Sequence, residues 1–571
     1  MVGEPKTSER RILVKEGSDP SAVSVVSVSH RLLMAVLSGA MLGFAFPPSP
    51  FYSLAYVGFV PFFLLVETLD SVWRILRYSY VMLLVFHIIA LYWTGGFTHG
   101  HDAWMMAAGG ALLLVHPLFS WVPILLFLLI RRRLGFLAGL LSFPFLWVAC
   151  EYSHALSEFS FPWITLGNSQ AYDLHRIQIA EYTSVYGLSF LIVLFNVFAF
   201  LLVVNLATRK WRFRMPAALA TLALLVIIYF GPWLAGNVLM ARAARGDFVA
   251  KLHVGIVQPN IDPWEKWGEG FASKFDSYEQ QLSALVNETR LLAPKHPDLV
   301  VWPETAIPYR ILLPNHALSW SGLRAQLDSI GVPVFTGLPY TRFYDAAEAP
   351  VTANQLDSTQ TYYDDFNSAT LLLPHQPVGP IYKKIVLVPF AERIPYAETF
   401  RFLIEPLKWN VGIGMWGKGQ DTVVFGLPLR TGDTVRFASV ICYESVYPDF
   451  VRQFVERGAE FLMIITNDSW WGNTSGAYQH ASFASFRAIE NRRWIVRATN
   501  GGISGFIDPL GQMHQRTRLY TTTTIDGDIE ASDDRTYYAR HGDIFAQACL
   551  FCGGLIVILA FVPKKRTWEK P

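Results

Sequence analysis

The sequence predicts a multi-pass α-helical membrane bundle of about eight transmembrane helices, joined to a separate α/β domain outside the lipid. Two observations predict this fold class. The 571 residues are 52% hydrophobic and only 16% charged, with a mean hydropathy of +0.30, which is too apolar for an ordinary soluble protein. Long apolar segments fill residues 32–234 and recur at 544–562, whereas the chain between them consists of short strand-like pieces bounded by Pro, Gly and Asn.

The membrane region is predicted to contain seven helices, and an eighth lies near the C-terminus. A helix of roughly 20 apolar residues spans a bilayer. The predicted helices are 32–46, 54–66, 78–97, 104–130, 134–152, 186–206, 217–234 and 544–562. The first two are short and joined through Pro47 and Pro48, so a re-entrant pair is an alternative to two spans. Either choice leaves the orientation of the later helices unchanged.

Basic residues at alternate helix ends indicate which side is cytoplasmic, because cytoplasmic loops are enriched in Lys and Arg. These residues are Arg10, Arg11, Lys15 and Arg31 before the first helix, Arg74 and Arg77 after the second, Arg131, Arg132 and Arg133 after the fourth, Arg209, Lys210, Arg212 and Arg214 after the sixth, and Lys564, Lys565 and Arg566 after the last. We therefore expect cytoplasmic tails at 1–31 and 563–571, a membrane region at 32–234, and an extracytoplasmic domain at 245–540. The first helix is expected to be retained, since no small-residue cleavage site follows it.

Cys442 is the only cysteine of the predicted outer domain. It ends an apolar strand-like run and precedes a helix-like segment from Asp449, a position where a thiolate can be exposed and tuned as a nucleophile. A buried structural cysteine is the alternative. The other cysteines, Cys150, Cys549 and Cys552, lie in apolar helices, so Cys442 has no disulfide partner in an oxidising compartment. This favours a chemical role.

Two further strand ends carry charged residues. Glu304 follows an apolar strand and the rigid Pro303, which favours a partly desolvated carboxyl suited to acid–base chemistry, although a solvated surface glutamate is the alternative. Of Lys383 and Lys384, one lies between aromatic and apolar residues, where its ammonium could stabilise the oxyanion of acyl transfer. Strand ends of an α/β sheet collect on one edge, so these residues and Cys442 are expected to lie close together.

The remaining candidates are weaker. Residues 400–419 are apolar and broken by glycines, which suits either a mobile lid at the lipid surface or a loop packed on its own domain. His480 has no second histidine at metal-ligand spacing, so a hydrogen-bonded structural role is expected. The net charge of +2 argues against a nucleic-acid partner, and no phosphate-binding or dinucleotide motif is present. We expect no metal and no cofactor.

Three motifs together resemble the carbon–nitrogen hydrolase (nitrilase) superfamily: WPETAIP with Glu304, YKKIVLVPFAE with Lys384 and VICYES with Cys442. The stretches NDSWWGNTSGAYQH and RAIENRRWIVRATNGGISGFIDPLG, with the preceding bundle, are similar to the apolipoprotein N-acyltransferase family. The resemblance covers the chain from the first helix to the last. It implies an αββα sandwich domain on an eight-helix membrane base, with no metal.

The resemblance also implies roles for eight residues. These are Glu304, Lys384 and Cys442 as a catalytic triad, Glu392, Tyr443 and Glu444 as its supports, and Asn367 and Trp267 near the substrate. In this scheme Glu304 is the general base, Cys442 is the nucleophile, and Lys384 stabilises the oxyanion. Lys384 is chosen over its neighbour because it stands eight residues before Glu392, as in the family pattern. Ala391 and Pro259 stand where glycine is usual, which leaves the geometry of two loops open.

The implied reaction is a ping-pong acyl transfer in lipoprotein maturation. A fatty acyl group passes from the sn-1 position of a phospholipid, through a cysteine thioester, to the α-amino group of the N-terminal S-diacylglyceryl-cysteine of an apolipoprotein. The expected location is the bacterial inner membrane, with the catalytic domain in the periplasm. Two alternatives belong to other classes: a membrane-tethered amidase or nitrilase, for which one anchor would suffice, and a transporter or receptor, which would need intramembrane charges that the helices largely lack.

Overall fold

The computed structural model describes residues 27–96, 103–207, 211–263, 266, 277–356, 360–403 and 416–562. Among them, six helical segments are long and apolar enough to cross a membrane, namely Val72–Gly95, Met105–Leu134, Phe136–Ala155, Arg176–Ala207, Met215–Ala243 and Ile544–Phe561. The apolar segments Val28–Gly43 and Tyr52–Glu67 are shorter. A multi-pass helical bundle is confirmed, but eight spans are not. Of the predicted tails, 1–26 and 563–571 lie outside the described residues.

The helices that precede the α/β domain form the membrane base. They are α1 (Val28–Gly43), α2 (Val60–Glu67), α3 (Val72–Leu91), α4 (Ala103–Val115), α5 (Trp121–Leu134), α6 (Phe136–Ala155), α7 (Ala180–Ala207) and α8 (Trp211–Ala243). The predicted helix 104–130 is divided into α4 and α5, because the intervening turn contains Pro117, which has no amide hydrogen for an α-helix. Helix α7 begins before the predicted residue 186 and bends at Ser184, whose φ is 55°.

The α/β domain and the C-terminal helix follow. The helices are α9 (Tyr278–Leu292), α10 (Ala317–Ile330), α11 (Pro448–Glu456), α12 (Ser475–Asn491), α13 (Tyr537–His541) and, returning to the base, α14 (Ile544–Phe561). The strands are β1 (Ala250–Gln258), β2 (Leu299–Val301), β3 (Val334–Asp345), β4 (Asn354–Gln355), β5 (Thr361–Leu372), β6 (Ile381–Lys383), β7 (Phe425–Pro428), β8 (Thr434–Ile441), β9 (Phe461–Thr466), β10 (Ile495–Thr499), β11 (Gly505–Ile507), β12 (Met513–His514) and β13 (Thr523–Ala531). Helix α12 ends where Arg492 adopts a left-handed backbone (φ 49°). The predicted domain limits stay predictions.

The strands form two sheets that pack face to face. One has the order β13-β1-β2-β3-β5-β4, with β6 added on β5, and the other has the order β12-β11-β10-β9-β8-β7. Aromatic rings join the faces: Phe335 of β3 lies 5.2 Å from Phe425 and 5.5 Å from Phe437 of the second sheet. Helices α9 and α10 cover the first sheet, and α11 and α12 cover the second. This is the predicted αββα sandwich.

Helix α12 fixes the sandwich to the membrane base. The Gln479 side chain accepts hydrogen bonds from the indoles of Trp93 (3.1 Å) and Trp163 (2.7 Å) and donates to the carbonyls of Pro47 (2.9 Å) and Ala90 (3.0 Å). All four partners belong to the base. The second sheet, whose strand β8 leads to Cys442, is thus held at a defined position above the bundle.

Candidate active site

Cys442 occupies a strained turn at the end of β8. Its φ is +52°, a left-handed backbone that is uncommon for a residue with a side chain and is concentrated at functional sites. The backbone is held there because the Cys442 carbonyl accepts a hydrogen bond from Ser445 Oγ (2.7 Å) and lies 3.2 Å from His480 Nε2. The side chain is partly exposed. The cysteine therefore lies at the edge of the hydrophobic core and is not fully buried in it.

Glu304 lies in the interior beyond the fully buried strand β2. The residue is 7% exposed, so the alternative of a solvated surface glutamate is wrong. Each carboxylate oxygen has a donor: Oε1 accepts from Asn367 Nδ2 at 2.7 Å, and Oε2 accepts from the Asn467 amide at 3.0 Å. Gly337 of β3 packs so closely that a β-carbon there would lie 2.4 Å from the Thr305 nitrogen. The carboxylate is thus fixed in both position and orientation.

Lys384 follows β6 and is completely buried. Its Nζ donates to Glu392 Oε1 at 2.8 Å and lies 3.5 Å from Glu304 Oε1. Its neighbour Lys383 is less buried and places its ammonium 5.4 Å from the Phe366 ring. Of the two lysines, Lys384 is therefore the one that lies beside the carboxylates.

The charges set the resting state of these groups. Burial raises the pKa of the Cys442 thiol and the nearby Glu304 carboxylate raises it further, while Lys384 lowers it. Burial alone would favour a neutral Lys384, but the carboxylates of Glu392 and Glu304 outweigh it and raise the pKa of Lys384 above its ordinary value. The site therefore contains a neutral thiol that needs a base, next to a permanent positive charge.

Glu444 links the cysteine turn to the lysine segment. Its Oε1 accepts from the amides of Ile385 (2.7 Å) and Val386 (3.1 Å), and its Oε2 accepts from the Ile441 amide (2.7 Å). The Tyr382 hydroxyl donates to both oxygens at 2.8 Å. Burial raises the pKa of Glu444 to about 7, against the effect of the backbone donors. The carboxylate thereby fixes the two segments relative to each other.

Tyr443 anchors the cysteine turn to the membrane base. Its hydroxyl donates to the Ser160 carbonyl at 2.9 Å, and its ring stacks on those of Phe161 (6.1 Å) and Trp163 (6.5 Å). These three partners lie between α6 and α7. The turn that contains Cys442 is thus in direct contact with the bundle.

The other predicted positions have mixed outcomes. Asn367 contacts Glu304, while Trp267 and residues 404–415 of the predicted lid lie outside the described residues. At Ala391, the left-handed residue is the preceding Phe390 (φ 63°), so the missing glycine causes no conflict there. His480 is buried and hydrogen-bonded to Asp468 at 2.8 Å, in agreement with a structural role. No group of three His, Cys, Asp or Glu side chains within the described ranges could hold a metal ion.

Sequence reasoning missed two residues that contact Glu304. Lys266 stands in a polar loop, where a lysine is ordinarily solvated, so its residue type carried no signal. Asn467 acts through its backbone amide, which any residue except proline could supply. Only its position directly after β9 could have marked it.

The comparisons with known proteins match both parts of the fold. The family model described as "Apolipoprotein N-acyltransferase N-terminal domain" matches residues 38–198, and the model described as "Carbon-nitrogen hydrolase" matches residues 253–538. An apolipoprotein N-acyltransferase of Chlorobaculum tepidum is 34% identical over 549 residues, which cover 94% of this chain and 98% of that protein. The chain belongs to the apolipoprotein N-acyltransferase family. The Geobacter metallireducens member is 33% identical over 532 residues, covering 93% of this chain and 95% of its own.

A solved amidase from Nesterenkonia sp. AN1 is also similar, at 16% identity and a TM-score of 0.35, covering 52% of this chain and 95% of that chain.

The N-terminal model of the apolipoprotein N-acyltransferase family falls within the helical base, and the carbon–nitrogen hydrolase model falls within the α/β sandwich. As a member of this family with six long apolar helical segments among its described residues, the chain is a bacterial membrane protein and an acyltransferase.

Proposed function

We propose that this acyltransferase moves a fatty acyl group from the sn-1 position of a phospholipid to the α-amino group of the S-diacylglyceryl-cysteine at the N-terminus of an apolipoprotein. The observation that carries the proposal is the meeting of Glu304 and Lys384 at 3.5 Å beside the strained turn of Cys442, on a sandwich fixed to the membrane base. Base, positive charge and nucleophile are the three parts that acyl transfer through a thioester requires.

In the first half-reaction, Glu304 accepts the thiol proton of Cys442 and the thiolate attacks the ester carbonyl carbon. The negative charge that develops on the carbonyl oxygen is stabilised by Lys384, which remains protonated because of its carboxylate neighbours. The carbon–oxygen bond to glycerol then breaks. The leaving alkoxide takes the proton from Glu304, so a lysophospholipid departs and the acyl group remains on Cys442 as a thioester.

In the second half-reaction, the α-amine of the diacylglyceryl-cysteine attacks the thioester carbonyl. Glu304 accepts the amine proton as the carbon–nitrogen bond forms, and the carbon–sulfur bond breaks. The Cys442 thiolate then regains the proton from Glu304. One site serves both substrates in turn, which predicts ping-pong kinetics.

The membrane setting supports lipid substrates. Both proposed substrates are anchored in a bilayer, and the cysteine turn contacts the bundle through Tyr443. Nearby, Phe400 and Phe402 are 41% and 73% exposed at the start of the predicted lid, and exposed aromatic rings favour the membrane interface. From the distribution of basic residues we infer that the sandwich faces the periplasm and that the protein resides in the inner membrane.

Intact mass spectrometry of the purified protein incubated with phospholipid tests the proposal. We expect a mass increase of one acyl chain in the wild type and in Cys552→Ala, a control that removes a partly exposed thiol of α14. Cys442→Ala should show no increase. Adding a diacylglyceryl-cysteine peptide should remove the acyl group and make the peptide one acyl chain heavier.

The outcomes separate the alternatives. A wild type that never carries the adduct contradicts the covalent mechanism. An adduct that is lost to water while the peptide stays unmodified favours a membrane-tethered amidase instead.

A further inference from the structure

A second lysine lies beside the candidate base. Lys266 is 1% exposed, and its Nζ donates to Thr305 Oγ1 at 2.8 Å and to the main-chain oxygen of Glu304 at 3.3 Å. The Lys266 carbonyl accepts from Gln281 Nε2 at 3.3 Å, which holds the lysine against α9. Burying an ammonium is costly unless charged or polar groups compensate for the lost water. Its position therefore calls for a reason.

The contacts of Lys266 stabilise an unusual backbone. Thr305 follows Glu304 directly and has a φ of +44°, a conformation that is an outlier for a β-branched residue. Lys266 bonds to both residues, Glu304 through its main chain and Thr305 through its side chain. The ammonium is thus placed to hold the turn from which the carboxylate projects.

The charged groups nearest Glu304 carry a net negative charge before Lys266 is counted. Within the described ranges, the titratable and charged groups around this carboxylate are Lys266, Lys384, Glu392 and Cys442, with Glu444, Asp468, His480 and Arg497 behind the lysine and the thiol. Lys384 lies closer to Glu392, at 2.8 Å, than to Glu304, at 3.5 Å. One ammonium between these two carboxylates leaves a net negative charge, and the Glu304 carboxylate favours the ammonium form of Lys266.

We propose that Lys266 is a positioning residue for the proposed reaction: its ammonium holds the turn that carries Glu304, so that the carboxylate stays where it can accept the Cys442 proton. The inference rests on the proposed role of Glu304 as the base. In this scheme Lys384 stabilises the oxyanion, whereas Lys266 positions the base, Glu304.

The surroundings of Lys266 make its protonation sensitive to pH. Burial lowers the pKa of Lys266 to about 7, while the Glu304 carboxylate acts in the opposite direction and favours the ammonium. The ammonium that bonds to the turn is therefore lost as the pH rises above about 7.

The test is the pH dependence of acyl-enzyme formation, measured as the rate of adduct appearance by intact mass under single-turnover conditions. Lys266→Met removes both charge and donors, Lys266→Gln keeps a donor without the charge, and Lys266→Arg keeps the charge. Lys295→Met is the matched control, because it removes an exposed lysine of the same domain that pairs with Asp526.

We expect the wild-type rate to fall above about pH 7 as Lys266 loses its proton, and Lys266→Met and Lys266→Gln to be about tenfold slower than wild type below that pH and to lack this fall. Lys266→Arg should keep the fast rate to higher pH, and Lys295→Met should keep the wild-type profile. A purely structural role would lower the rate equally at every pH.

Two results overturn the inference. One is a wild-type profile in both the Met and the Gln variants, and the other is a rate that still falls above about pH 7 in Lys266→Arg. If the Met variant fails to fold, the Gln and Arg variants decide the question. A wild type that forms no adduct at any pH contradicts the proposed function itself, whereas a working wild type with unmoved variants contradicts only the role of Lys266.

Discussion

Replacing Glu304 by glutamine removes the proposed base with little change of shape. The glutamine amide has one oxygen, so it can accept from Asn367 Nδ2 or from the Asn467 amide but not from both. Lys384 keeps its bond of 2.8 Å to Glu392 and so keeps its charge. The substitution therefore removes proton acceptance while the oxyanion-stabilising charge remains.

The expected loss follows from the usual contribution of a general base. Acylation of Cys442 should slow by about 10²–10⁴-fold in Glu304→Gln, or about 3–5 kcal/mol in activation free energy. The assay is the single-turnover rate of adduct formation, with thermal unfolding measured on the same samples. Glu279→Gln, an exposed glutamate in the first turn of α9, is the control and should keep the wild-type rate. A folded Glu304→Gln variant that acylates within a few-fold of wild type would refute the assignment of Glu304 as the base.

Three further predictions concern groups around the site. Glu444→Gln puts an amide hydrogen against at least one of three backbone donors, so we expect about 2 kcal/mol lower stability and slower acylation, checked by thermal unfolding and by the adduct assay. Gln479→Ala removes four hydrogen bonds between α12 and the base and should lower the free energy of unfolding by about 3–4 kcal/mol. The control Gln326→Ala, at an exposed position, should change the unfolding temperature little. Equal unfolding temperatures for the two variants would contradict the anchoring role of Gln479. Because burial lowers the pKa of Lys266 to about 7, the unfolded chain binds more protons than the folded one from about pH 7 up to the ordinary lysine value, so wild-type stability should rise relative to Lys266→Met over that window. If the difference in unfolding temperature between wild type and Lys266→Met is the same at pH 6.5 and at pH 9.5, the burial of this lysine is contradicted.

Much of the fold could be predicted because its signals are local. The apolar segments and the short strands have different hydrophobic periods, and the strand ends at Glu304 and Cys442 follow directly from them. Features set by tertiary contacts were less accessible. The division into α4 and α5 depends on the turn at Pro117, which the apolar pattern alone did not reveal. The position of α12 depends on contacts with the base that include those of Gln479.

The candidate site could likewise be predicted only in part. Charged residues at strand ends were recognisable by type, but the choice of Lys384 over Lys383 came from the family pattern rather than from the residues alone. In the structure its physical basis is the bond to Glu392 at 2.8 Å. Lys266 and the Asn467 amide were missed, because one looks like a solvated lysine and the other acts through an atom that every residue except proline has.

The most direct measurement of the central claim follows one labelled acyl chain. Phospholipid labelled at the sn-1 chain is incubated with the enzyme, and fragmentation mass spectrometry of the digested enzyme locates the labelled residue. Unlabelled phospholipid is then added together with a diacylglyceryl-cysteine peptide as the acceptor. We predict that the label appears first on Cys442 and then, in equal amount, on the acceptor's α-amine. Label that reaches the acceptor without ever residing on Cys442, or that is found on another residue, would contradict the account.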